Sequence, residues 1–227
     1  MNIKIVAFSD THMHHRNLIL PEGDVLVFAG DMLTCGYKFQ EVKDFADWFS
    51  EQPHQYKIVV AGNHDRVFES SRAICTRYFA PSVMYLEDTG VTIEGFSFYG
   101  SPWTPEFNGW AFGLTDEQLE RKWRGIPDVD VLITHGPPYG ILDKLTPPSD
   151  KYYKCYGHLG DRELAKKVVS TKPMLHIFGH IHGSTGIAMG VYSDLKSFRE
   201  GTVYHNVSIC DESYEPVNEP RVIEIEK

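Results

Sequence analysis

The chain is short of cysteine, of long apolar runs and of positive charge, and each shortage excludes something. Its four cysteines, Cys35, Cys75, Cys155 and Cys210, are scattered with no CxxC pair. Thiolate metal sites and a disulfide framework are therefore not expected, and the thiols are read as reduced. No apolar stretch approaches the ~20 residues needed to span a bilayer. The first apolar run, residues 3–8, is too short for a signal peptide and has no small-residue cleavage site behind it. These features place the chain in the cytoplasm with no membrane partner. Lys and Arg number 22 against 31 Asp and Glu, a net charge of −9. Such a balance lacks the electrostatic footprint of a protein that wraps extended nucleic acid, because polyanion binding rests on Lys and Arg neutralising phosphates. Internal repeats, low-complexity tracts and linkers are also missing.

What is present suits one compact domain over residues 1–227, with 42% hydrophobic and 23% charged residues, enough for a core without staples. Short β-branched apolar runs recur at 3–8, 25–29, 58–61, 96–99, 129–134, 175–178 and 203–209, and 222–225 closes the set. Several are continuous rather than alternating, as in strands buried on both faces. Phe39, Val42, Phe45, Ala46 and Phe49 fall at helical spacing between the second and third runs. Thr115 and Gln118 form a capping box, with Leu114 placed to staple against Leu119. Leu164, Ala165, Val168 and Val169 make the apolar stripe of another helix, with Asp161 and Glu163 early and Lys166 and Lys167 late. The strand–helix rhythm predicts an α/β fold, with a β-hairpin inserted near 83–99 and a mostly β segment after Gly179.

Five of the apolar runs end in ligand-type side chains. Asp10-Thr11-His12 follows the first run, Gly30-Asp31 the second and Gly62-Asn63-His64-Asp65 the third. Thr134-His135-Gly136 and Gly179-His180-Ile181-His182 follow two later ones. Ligands bind at the C-terminal ends of strands in open α/β sheets. Each piece alone has a plainer explanation: a turn or N-cap Asp, a solvated turn, a structural His. Five strand ends of this kind in one chain do not. Carboxylate, amide oxygen and imidazole suit two borderline-hard divalent ions, with Mn, Fe, Zn, Co and Ni all chemically admissible. Asp10, His12, Asp31 and His182 would hold one ion; Asp31, Asn63, His135 and His180 the other. Such a pair clamps the oxygens of an in-line displacement and lowers the pKa of a bound water to about 7. His64 is a candidate proton donor, and Asp65 could hold its imidazole in orientation.

Taken together, the motifs from Asp10 to His182 resemble those of the calcineurin-like metallophosphoesterase superfamily. The resemblance implies a four-layer α/β/β/α sandwich, a binuclear centre of two divalent metal ions, manganese among them, and phosphoester hydrolysis. Gly100-Ser101-Pro102-Trp103-Thr104-Pro105-Glu106-Phe107-Asn108-Gly109-Trp110, Thr134-His135-Gly136-Pro137-Pro138 and Pro216-Val217-Asn218 are similar to its metallophosphoesterase-domain-containing subgroup. That subgroup is related to class III cyclic nucleotide phosphodiesterases. The likeness implies a small phosphoester or nucleotide substrate, cyclic nucleotides included. Asp65 stands where the subgroup has Glu, and Met13-His14-His15-Arg16 departs from its usual loop. His182 keeps the second His that some relatives have lost. Gly30-Asp31-Met32 lacks the Arg expected of phosphoprotein phosphatases.

Around this set, Trp103, Phe107, Asn108 and Trp110 could wall a nucleobase or pack on the core. Asn206 could reach the pocket or serve a turn. His14, with His15 and Arg16, could touch phosphate or face solvent. His54, His158 and His176 have no motif context and are read as structural or surface residues. Residues 151–154 read equally as a lid or a solvated loop.

Overall fold

A computed structural model of the chain describes residues 1–145, 157–189 and 201–227. The loops at 146–149 and 151–154, and Cys155, lie outside the described residues. Thirteen strands and four α-helices are described. The strands are β1 (Asn2–Phe8), β2 (Val25–Ala29), β3 (Tyr56–Val60), β4 (Val83–Tyr85), β5 (Thr89–Ile93), β6 (Phe96–Ser101), β7 (Thr104–Pro105), β8 (Gly113–Leu114), β9 (Val131–Thr134), β10 (Leu175–Phe178), β11 (Gly186–Met189), β12 (Val203–Asn206) and β13 (Arg221–Glu226). The helices are α1 (Phe39–Ser50), α2 (Arg66–Cys75), α3 (Asp116–Trp123) and α4 (Arg162–Thr171).

Two mixed sheets form, in the orders β13-β1-β2-β3-β4 and β11-β12-β10-β9-β6-β5. β1 to β4 run parallel, as do β6, β9, β10 and β12; β13, β5 and β11 are antiparallel edges. Alternation along each strand sorts the side chains into three cores. Ile5, Ala7, Val25 and Val27 of the first sheet meet Phe98, Val131, Ile133 and Ile177 of the second. On the first sheet's other face, Val6, Phe8, Leu26 and Phe28 pack against Phe45 and Phe49 of α1 and Phe68 of α2. On the second sheet's other face, Leu132, Phe178 and Tyr204 pack against Leu119 and Trp123 of α3 and Leu164 and Val168 of α4. The layers are thus α/β/β/α, and strands covered on both faces account for the continuous apolar runs.

The Thr115 capping box forms as read: its hydroxyl accepts from the Gln118 N–H, and the Gln118 side chain accepts from the Thr115 N–H. Asp161 caps α4 through the N–H groups of Glu163 and Leu164. The expected hairpin near 83–99 is narrower than the sequence suggests. Its arms are β5 and β6, while Val83–Tyr85 adds to the first sheet in parallel with β3. A three-residue run is too short to declare which sheet it joins. α2, which begins at Arg66, was not legible as a helix from apolar spacing. No helix among the described residues is long and apolar enough to cross a membrane.

Candidate metal centre

The C-terminal ends of β1, β2 and β3 in one sheet, and of β9 and β10 in the other, converge on one place. The loops leaving them are tied edge to edge by main-chain bonds. The Asp10 N–H donates to Gly30 O at 2.8 Å and the Gly179 N–H to His135 O at 2.9 Å. Two glycines make this closeness possible. Gly30 sits at φ 102°, and a Cβ there would run into the His135 imidazole. A Cβ on Gly179 would run into Asp10 and Ser9. Asp10 (φ 54°), His12 (φ 41°), Asp31 (φ 63°) and His180 (φ 69°) themselves hold left-handed backbone, which is costly for non-glycine residues and collects at functional sites.

All seven candidate ligands are brought together. Ligand atoms of Asp10, His12 and His182 lie within 4.8 Å of one another, as do those of Asp31, His135 and His180. Asp31 faces both groups: its Oδ2 is 4.0 Å from His12 Nε2 and 3.3 Å from His135 Nε2. Asn63 Oδ1 is 2.9 Å from the same His135 nitrogen. Backbone carbonyls set the imidazoles. Nδ1 of His12 donates to Leu33 O at 3.1 Å, that of His135 to Ala29 O at 3.0 Å and that of His182 to Asp211 O at 2.8 Å. Each bond fixes the tautomer and turns Nε2 inward, as in metal-binding histidines. His12 Nε2 and His182 Nε2 then face each other at 3.3 Å, with Asp10 Oδ1 3.4 Å from the latter. Two imidazole lone pairs face each other with no proton between them, beside a carboxylate whose donors come from the opposite side, and a cation satisfies all three.

The electrostatics agree. Asp10 and Asp31 are buried, and among the described residues their ion-pair partners are histidines, with no Lys or Arg. Burial raises both carboxyls, but the neighbouring histidines hold them below the usual range. Burial lowers His12 to about 4 and His180 to about 3, which keeps them neutral as ligands must be. Burial also opposes charge on His135, but Asp31 beside it lifts the imidazole to about 9. A proton there occupies the position that a cation would take between Nε2, Asp31 and Asn63. Ser9 and Ser208 donate to Asp10 Oδ2 at 2.5 and 2.7 Å and fix that carboxylate.

A model of the calcineurin-like phosphoesterase family matches residues 3–184. The chain belongs to that family. Human metallophosphoesterase domain-containing protein 1 is 39% identical over 248 residues, covering 98% of this chain and 71% of the relative. A UPF0046 protein of Caenorhabditis elegans is 35% identical over 240 residues, covering 99% and 76%. Purple acid phosphatase PPD1 from yellow lupin seeds shares the fold, with a TM-score of 0.54 at 11% identity over 91% of this chain and 44% of that one. The calcineurin-like phosphoesterase motifs are thus carried by a site of matching His and Asp clusters, consistent with a binuclear metal centre.

Several residues expected around this phosphoesterase site stand elsewhere. Asp65 does not touch the His64 ring. Its buried carboxylate accepts from the N–H groups of Gly62 (2.7 Å), Asp31 (3.0 Å) and Leu33 (3.1 Å), so it clamps two ligand loops together. Burial and the Asp31 charge push its pKa up to about 8, against the pull of the N–H donors. The ring of His64 is held instead by Thr34 O, 2.5 Å from Nδ1, and by Trp110, stacked at 4.1 Å and 23°. Trp103 turns away to donate to Asp88 at 2.9 Å, beneath the Lys122 ammonium. Phe107 and Asn108 occupy the exposed turn of the same loop. Asn206 is fully buried and spent on backbone: Nδ2 donates to Ile181 O at 2.9 Å and Oδ1 accepts from the Ser208 N–H at 3.1 Å. His14 is half-buried in the turn after His12, while His15 and Arg16 reach Asp44 of α1. Tyr214 had no sequence signal. Its ring lies 4.7 Å from His12 and 5.4 Å from His182, carried by a turn about thirty residues beyond the last motif.

Proposed function

We propose that the chain is a binuclear-metal-dependent phosphodiesterase acting on small nucleotides, cyclic ones included. One observation carries this reading. A single carboxylate, Asp31, faces two separate ligand groups, with a histidine beside them that is not needed as a ligand. Asp10, His12, Asp31 and His182 would hold one divalent cation; Asp31, Asn63, His135 and His180 the second, with manganese as the working metal. Bound there, the cations supply charge to phosphate oxygens and acidify water.

The chain's own groups do the rest. Asp31 and Asp10 balance the positive charge in a buried space. The three carbonyl-anchored imidazoles keep Nε2 in place without rearrangement. A ring nitrogen of His64 lies within 4.8 Å of ligand atoms of His12 and Asp31. With Nδ1–H donated to Thr34 O, His64 would act as the imidazolium, giving its Nε2 proton to the departing oxygen and returning to the neutral Nδ1–H tautomer that this bond favours. General-acid help of this kind contributes roughly 10²–10⁴ in rate. The acidic balance of the whole chain favours a small substrate drawn to the site over a polymer drawn to the surface.

The test is turnover by Mn²⁺-loaded protein of bis-p-nitrophenyl phosphate, 3′,5′- and 2′,3′-cyclic AMP, AMP and a short oligonucleotide, each with a chelator control. Chelator-sensitive hydrolysis of the cyclic nucleotides is expected. Activity confined to the oligonucleotide would make the chain a nuclease. Bound metal with no turnover would make it a non-catalytic scaffold.

A further inference from the structure

The candidate centre has an aromatic neighbour that the metal chemistry does not use. Tyr214 is 45% exposed, yet its ring centroid lies 4.7 Å from His12, 5.4 Å from His182 and 5.9 Å from His64. The backbone presents it there at a cost, since Tyr214 sits at φ 63°, a region that a bulky side chain rarely enters. Asp211 holds the strained turn. Its carbonyl accepts from the Tyr214 N–H at 2.9 Å, and its Oδ1 accepts from the N–H groups of Ser213 and Glu215 at 2.8 and 3.1 Å. The same Asp211 carbonyl accepts from His182 Nδ1. One turn therefore orients a candidate ligand and sets an aromatic ring beside it. An outlier so firmly over-determined points to a role for the side chain it carries.

The tryptophans of the aromatic loop are the less exposed: Trp103 is bonded to Asp88, and the Trp110 ring lies between His64 at 4.1 Å and the Arg66 guanidinium at 4.6 Å. We propose that Tyr214 determines specificity by stacking the base of a nucleotide whose phosphate occupies the metal centre. This rests on the reading of the chain as a nucleotide phosphoesterase. Base–aromatic stacking discriminates by shape rather than by sequence, so purines would gain most from it.

The experiment compares AMP with ribose 5-phosphate, which share the phosphate and sugar and differ in the base. Binding of each to Mn²⁺-loaded protein is measured by calorimetry for the parent, Tyr214→Phe and Tyr214→Ala. In parallel, kcat/KM is measured on 2′,3′-cyclic AMP and on ribose 2′,3′-cyclic phosphate. The parent should prefer the base-bearing compound of each pair. Tyr214→Phe should retain the preference. Tyr214→Ala should lose roughly 5- to 150-fold on the base-bearing compound alone. An equal loss on both members of a pair would reduce Tyr214 to a prop for His182 and overturn the assignment, as would a parent with no preference. If the binding preference depends on Tyr214 but no diester is turned over, the diesterase reading fails and the Tyr214 assignment stands. If diesters are turned over with a ratio indifferent to Tyr214→Ala, the reverse holds.

Discussion

Replacing Asn206 by Leu keeps the number of side-chain heavy atoms and takes one hydrogen bond from each of three backbone groups. The Ser208 N–H loses its acceptor at 3.1 Å, and Ile181 O loses a donor at 2.9 Å while keeping the Ser184 N–H. The bond to Leu142 O, at 3.4 Å, is weak and adds little. An orphaned buried donor costs about 1–3 kcal/mol and a lost neutral bond about 0.5–1.5 kcal/mol. The variant should therefore be destabilised by about 2–4 kcal/mol, with melting roughly 5–15 °C lower for a chain of this length. Ile181 lies between His180 and His182, so loosening its carbonyl should also weaken Mn²⁺ binding. Thermal unfolding by circular dichroism with chelator present reads the first effect, and calorimetric Mn²⁺ titration the second. If Asn206 instead contacted substrate, the variant would melt like the parent and show only a raised KM. That result would refute the structural role argued for it.

His64→Ala should keep both metal sites filled and lose roughly 10²–10⁴ in kcat on diesters with poor leaving groups, with a smaller loss for p-nitrophenol esters. Parental turnover on the poor leaving group would remove His64 from the acid role. Asp65→Asn should lower Mn²⁺ affinity by roughly 10- to 100-fold, as outer partners of metal ligands do, which metal titration would show. Equal affinity would mean that the loop clamp is idle. His176 is buried on β10 and burial holds its pKa at about 3, against 6.5 unfolded. Between those values the unfolded chain binds the extra proton, so this contribution is whole above pH 6.5 and is lost as pH falls toward 3. His176→Phe should reduce the slope of unfolding free energy against pH by up to about 1.4 kcal/mol per unit in that window. Identical slopes in denaturant melts at pH 4.5 to 6.5 would contradict it.

The candidate ligands were legible as a group because the fold repeats one local device. An apolar strand, often a glycine and then a polar side chain recur at five strand ends, and parallel sheets bring such ends to one edge. The capping box at Thr115 was legible because it is local. What sequence could not reach were partners set by tertiary contact. Asp65 precedes a helix, as an N-cap would, but caps nothing because its carboxylate serves loops more than thirty residues away in part. Trp103 shares a loop with Trp110, yet Asp88 takes its indole N–H and Lys122 covers its ring. Tyr214 and Asp211 reach the site from a segment whose composition reads only as a turn. The left-handed backbone at Asp10, His12, Asp31 and His180 is announced only weakly, because Asp and His tolerate such angles better than most side chains but, unlike glycine, do not signal them.

The carbonyl anchors have a consequence for how the site tolerates change. Ala29, Leu33, Thr34 and Asp211 hold four histidines through main-chain oxygen, an atom that every amino acid possesses. Point substitution at those four positions can alter a neighbouring surface but cannot delete the acceptor. The anchors themselves are therefore indifferent to side-chain identity, and the centre is vulnerable instead where loop paths are set: at Gly30, Gly179, Asp65, Asn206 and the Asp211 carboxylate. What restrains residues 29, 33, 34 and 211 is therefore something other than the histidines they hold: Ala29 and Leu33 are buried in the cores, the Thr34 hydroxyl bonds Glu41, and the Asp211 carboxylate holds its own turn.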